Sequence, residues 1–233
     1  MTDLQALNAA VAGLMASAGF PGPFILRRNA ADAAYESYVF MLVLRAISQA
    51  NGQVTLRSIV NPGGAPATFV FRGSPGYIFS DEFDYGYAAC TLGGRPFEVH
   101  IDVRHFGSSR VLHEIDVSFI DGPEAVRCRA RSEHPSSRRT HAAFECKFYG
   151  DTLGIALIRT YVGLTVDIGG LAISRFVSNA SSQTIARYCT SPNVRARPRF
   201  TPNLFPGPVI GQLTQSEQQF VDSVEDDLRS WRV

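Results

Sequence analysis

Apolar residues recur along this chain with two different periods, and the change between them divides it into elements. Residues 3–18 place Leu4, Leu7, Val11 and Leu14 on one helical face, and Phe20-Pro21-Gly22-Pro23 ends that segment. A second helix is expected over about 30–49, capped by Asn29, with Ala34, Tyr38, Met41, Leu42 and Ile47 apolar and Asn51-Gly52 as its stop. The period then shortens to two. Strands are expected at 54–60, 67–72 and 76–79, separated by Gly/Pro-rich turns. Residues 97–106 alternate Phe97, Val99, Ile101 and Val103 with Glu98, His100, Asp102 and Arg104. Residues 111–120 return with Ile115, Val117 and Phe119 against Glu114, Asp116 and Ser118. Read as a three-residue turn, Gly107-Ser108-Ser109 sets Ile101 opposite Ile115, Asp102 opposite Glu114 and His100 opposite Asp116, so one side of the hairpin is acidic.

Downstream, 123–131 reads as a short helix or irregular basic stretch, 134–137 as a loop, and 141–149 as a strand ended by Gly150. Phe144, Cys146 and Phe148 share one face of that strand, Glu145 and Lys147 the other. A helix over about 152–163, a strand at 170–178 and a helix from Ser181 to about Tyr188 follow. Residues 191–210 form a Pro-rich extended arm. A last helix runs from Gln215 to about Trp231, with Thr214 and Glu217 placed as a capping box. The expected class is mixed α/β, a central mixed sheet flanked by helices. The expected organisation is an N-terminal helix and linker over 1–29, a core over 30–190, and a Pro-rich arm with a C-terminal helix packing on the core over 191–233.

Composition excludes several classes. Hydrophobic content of 45% and charged content of 18% are ordinary for a globular chain, and a net charge of +1 does not by itself announce nucleic acid. Cys90, Cys128, Cys146 and Cys189 are scattered without a CxxC pair, so neither a disulfide framework nor a zinc ribbon is expected. No apolar run is long enough for a transmembrane helix and no signal peptide is apparent; a cytoplasmic protein is the expectation. HxH, HExxH, GxxxxGK[ST] and GxSxG patterns are absent. Among 22 basic residues there is one lysine, Lys147. In a chain that uses arginine wherever either cation serves, a retained lysine points to chemistry that arginine cannot perform, since only lysine is a compact ammonium with an adjustable pKa.

Asp116 and Glu145, if their strands are neighbours, can share a divalent cation through hard carboxylate oxygens, with the backbone carbonyl of Cys146 as a further ligand. Lys147 can orient a metal-activated water or accept its proton. These residues, Glu114-Ile115-Asp116 followed by Phe144-Glu145-Cys146-Lys147, resemble the PD-(D/E)xK, restriction-endonuclease-like nuclease superfamily over roughly residues 30–178. The resemblance implies a core of helix, three strands, helix and strand, metal ligation by Asp116 and Glu145, a catalytic Lys147, and assistance from a glutamate on the first core helix, for which Glu36 is placed. Glu114 is a less certain addition to the metal set. No proline precedes Asp116, and the connection from Asp116 to Glu145 is long. It carries Arg127, Arg129, Arg131, Arg138 and Arg139, which could bind phosphates, as could Arg195, Arg197 and Arg199 on the arm.

The expected function is therefore a Mg²⁺- or Mn²⁺-dependent endonuclease hydrolysing DNA phosphodiester bonds. The alternative is a catalytically inactive nuclease-fold module for nucleic-acid binding or complex assembly. Expected partners are DNA and either a second copy of the chain or a larger defence or repair complex, with no membrane.

Overall fold

The computed structural model describes residues 2–20, 22–194, 196–209 and 211–231. A seven-stranded sheet runs in the order β2 (Gln53–Ser58), β4 (Gly86–Leu92), β5 (Arg95–Phe106), β6 (Leu112–Asp121), β7 (Thr140–Lys147), β8 (Ile173–Ser178), β9 (Arg199–Thr201). It is antiparallel from β2 to β7 and parallel from β7 to β9. A small parallel pair, β1 (Phe24–Leu26) with β3 (Phe69–Phe71), lies apart. The class is thus mixed α/β with helices on a central mixed sheet.

Residues that alternate along β7 sort the two faces. Ala142, Phe144 and Cys146 join the large core cluster with α1 (Asp3–Ser17), α2 (Ala31–Gln49) and α6 (Gln215–Trp231). Ala143 joins a second cluster with α4 (Ile155–Ile168) and α5 (Gln183–Thr190). A third, small cluster lies under α3 (Gly122–Arg131). Helix α2 buries thirteen of its nineteen residues, as a helix enclosed between a sheet and two other helices must. Helix α6 docks through Phe220, Val221, Val224 and Leu228, each worth about 1.5–3 kcal/mol on full burial. Glu217, inside the Thr214 capping box, also accepts the Tyr38 hydroxyl of α2 at 2.7 Å. Buried Arg175 of β8 donates to Asp227 and to Ser223, tying α6 to the sheet.

Several expectations fail locally. Residues 76–79 are not a strand; Gly76 makes one isolated bridge to Val103. Strands β1, β4 and β9 were not expected. Helix α2 is capped by Ala30 without a side-chain bond, not by Asn29, and α5 by Ser182, not Ser181. Arg195 lies outside the described residues. Among the described residues no helix is long and apolar enough to cross a membrane.

Candidate active site

The hairpin β5–β6 closes through a five-residue loop, since Phe106 pairs with Leu112, and not through the three-residue turn that its glycine and serines suggest. Tertiary contacts hold the longer loop. The carboxylate of Asp167, at the end of α4, accepts from Ser108 Oγ at 2.9 Å and Ser109 N at 2.8 Å, and meets His113 Nε2 at 2.6 Å. The register moves by two as a result. Ile101 pairs with Val117, Val103 with Ile115, Arg104 with Glu114 and His100 with Ser118. Asp102 and Asp116, unpaired in the ladder, lie between the first two of those pairs. Asp102 has φ 52°, a left-handed conformation in which aspartate is among the more tolerated residues. Regular alternation would place Ile115 beside Val117, yet Val117 enters the core beneath α2 and Ile115 the cluster beneath α4. The strands change faces at the two aspartates.

The β6–β7 ladder stops at Val117–Phe144. Past that point the Asp116 carboxylate takes the free strand N–H of Cys146, at 2.7 Å to Oδ2. The same Oδ2 accepts from Lys147 Nζ at 3.4 Å, and Lys147 Nζ also meets Glu145 Oε1 at 2.6 Å. Glu36, in the second turn of α2, completes a group with Asp102 and Asp116 in which one carboxylate oxygen from each lies within 4.8 Å of the others. Asp102 is 1% exposed and its Oδ2 has no hydrogen-bond partner.

Every carboxyl here is displaced in the same direction. Burial, reinforced by Asp102 and Asp116, pushes Glu36 up to about 10. Burial and then Asp116 raise Asp102 well above the usual carboxylate range and Glu145 to about 7. Asp116 is raised by burial and held back by Lys147 and the Cys146 N–H. Glu114, exposed at the rim, is raised by partial desolvation and by Asp116. Burial alone would lower Lys147, but Asp116 and Glu145 outweigh it and hold its ammonium above the ordinary lysine value. Lys147 in this form orients rather than accepts a proton. Arg72, 4% exposed, stands behind the group; burial lowers it to about 10 while Asp102 opposes that shift. A concentration of desolvated carboxyls whose ionisation is suppressed by burial and by one another is the electrostatic signature of a cation site or a catalytic acid cluster.

The structure brings Asp116, Glu145, Lys147 and Glu36 into one place. Glu145 is held by Lys147 and lies outside the tightest carboxylate group, whereas Asp102 lies within it. Asp102 was legible only as one member of an acidic face, because its place depends on the register. Glu114 sits opposite Arg104 at the rim. His100 faces away: its Nε2 meets Glu98 at 2.7 Å and its ring stacks on Tyr87. The arginines divide. Arg129 makes a bidentate pair with Glu98 at 2.5 and 2.6 Å and lies over Tyr87, so it braces α3 against the sheet. Arg127 is paired with Glu124 and Glu133. Arg131, Arg138 and Arg139 are exposed, with Arg139 3.9 Å from Asp121. On the arm, Arg199 pairs with Asp227 at 3.2 Å, and Arg197 donates to the Pro192 carbonyl.

No family model, curated protein or solved structure matches this chain. The functional reading rests on the geometry.

Proposed function

We propose that this chain is a divalent-metal-dependent endonuclease of the PD-(D/E)xK kind, hydrolysing phosphodiester bonds of DNA. The observation that carries the reading is the convergence of Glu36, Asp102 and Asp116 within 4.8 Å beside the Lys147–Glu145 pair. The donor set fits Mg²⁺ or Mn²⁺. It is all oxygen and partly dehydrated, its raised carboxyls would ionise as a cation binds, and Asp102 Oδ2 is buried without a hydrogen-bond partner. Leaving such an acceptor unmet costs about 1–3 kcal/mol, which a cation would recover.

When bound, the ion supplies Lewis acidity and a water of lowered pKa. The protein supplies the rest. Asp116, Asp102 and Glu36 would hold the ion, with Glu145 and the Cys146 carbonyl as further oxygen donors. The Cys146 N–H fixes the Asp116 carboxylate, so its second oxygen is aimed rather than free to rotate. Lys147 keeps a positive charge beside Asp116 and Glu145, from which it would orient the attacking water. The exposed Arg131, Arg138 and Arg139 supply phosphate contacts; Arg127 and Arg129 do not, being committed to acids of the fold.

Incubation of supercoiled plasmid with the purified protein in Mg²⁺ or Mn²⁺ tests this. Nicked and linear products are expected, absent in EDTA and with Asp116→Asn. DNA binding without cleavage, and without Mg²⁺ affinity by calorimetry, would support the catalytically inactive module instead.

A further inference from the structure

Beside the acidic site the chain exposes rings and unpaired cations together. The segment after β3 runs back along the free edge of β5: Gly76 N donates to the Asp102 carbonyl at 2.8 Å, and Arg104 N donates to the Gly76 carbonyl at 3.0 Å. A Cβ on Gly76 would fall 2.5 Å from Arg72 Nη1, so a larger residue there would displace that guanidinium. The next residue, Tyr77, stacks on Phe79 with ring centroids 5.1 Å apart and planes 4° from parallel. His134 meets both rings edge-on and meets Phe106 as well. The Arg104 guanidinium lies over the Tyr77 ring. Tyr77 is 41% exposed and Phe106 38%.

Next to Phe106 the hairpin loop and the 136–138 turn enclose an open cavity of about 550 Å³, lined by Ser108, Arg110, Ser137 and Arg138 among others. Among the described residues neither Arg110 nor Arg138 has an ion-pair partner, in contrast to Arg127, Arg129 and Arg175. Arg110 also holds φ 64°, an unfavourable backbone for arginine. A single exposed ring needs no explanation. An exposed Phe106 ring and two arginines without ion-pair partners around one cavity, backed by the Tyr77–Phe79–His134 cluster, match the chemistry of a polyanion with accessible aromatic faces.

We propose that this surface binds a single-stranded DNA segment, with an unpaired base stacking on Phe106 and phosphates on Arg110 and Arg138, and so delivers unpaired rather than duplex DNA to the acidic site. A duplex hides its base faces within its own stack, so exposed rings of this kind discriminate for unpaired nucleotides. The proposal rests on the nuclease reading for its consequence but not for its test.

The test is fluorescence anisotropy in EDTA, where no cleavage intervenes, with a fluorescein-labelled oligothymidine and a hairpin duplex of equal charge. The single strand is expected to bind more tightly. Phe106→Ala should weaken that binding by about 5- to 150-fold, the range for loss of one stacked base. Phe106→Tyr should retain it, and circular dichroism should show both variants folded. Equal affinity for the duplex, or unchanged binding by folded Phe106→Ala, overturns the proposal whether or not plasmid is cut. Discriminating single-strand binding by a protein that cuts no DNA leaves the platform standing and defeats only the nuclease reading.

Discussion

Replacing Asp102 with asparagine should make the metal-free protein more stable and the metal-dependent protein inert. Asparagine preserves shape, tolerates the left-handed backbone at φ 52°, and puts an N–H₂ donor or a neutral oxygen where Oδ2 has no partner. Two ionised carboxylates with oxygens within 4.8 Å of each other would repel by about 3 kcal/mol or more at an effective dielectric of about 20. Protonation already relieves part of this, so the gain should be about 1–3 kcal/mol. Each kcal/mol moves Tm by about 2–4 °C in a chain of this size, which gives an increase of about 2–12 °C in EDTA. Wild-type protein should gain about 2.7 kcal/mol when Mg²⁺ is a hundredfold above its Kd, and Asp102→Asn should lose most of that gain together with plasmid nicking. Thermal denaturation with and without Mg²⁺ reads both effects. A lowered Tm in EDTA with an undiminished Mg²⁺ shift would show that Asp102 is a structural acid, and the reasoning would be refuted.

Lys147→Ala should abolish cleavage and lower Tm in EDTA, because Asp116 and Glu145 lose the cation between them, and Lys147→Arg should not restore activity, because a planar fork cannot replace a compact ammonium at that place; cleavage and melting measured side by side check both. Glu145, raised to about 7, and Glu36, raised to about 10, bind protons more tightly folded than unfolded. Their contribution is therefore full below the ordinary glutamate value of 4.5 and is lost as pH rises through those folded values, so melting in EDTA should show stability from this site falling across that window. Metal binding should then expel protons, measurable by calorimetry in buffers of different ionisation enthalpy; zero proton release near neutral pH would contradict it. Arg129→Ala should destabilise the fold by about 3 kcal/mol, the low end for a broken buried pair, because Glu98 then keeps only its bond to His100. Exposed Arg138→Ala should leave Tm unchanged and reduce the salt dependence of DNA binding by about one counterion.

The chemistry was more legible in the sequence than the register that assembles it. Strand periodicity alone puts Glu145 and Lys147 on one face, and the solitary lysine marks that face. The hairpin itself is visible as two alternating runs. Its loop length is not, because the tether from Asp167 to the loop comes from a helix more than fifty residues away. That tether shifts the pairing by two and brings Asp102, rather than His100, towards Asp116. Strand β4 escaped because Gly86–Leu92 is buried with small residues and shows little polar alternation. Arg129 looked like a phosphate ligand for a similar reason: its partner Glu98 is far off in sequence, and charge patterning along one segment cannot reveal a pairing across the fold.

The most direct test of the central claim is anomalous diffraction from crystals of the full chain grown with Mn²⁺. A peak is predicted within coordination distance of the Asp102 and Asp116 carboxylates, with Glu36 or Glu145 alongside. Saturating Mn²⁺ that leaves this position without a peak, the carboxylates fully ordered, would contradict the account.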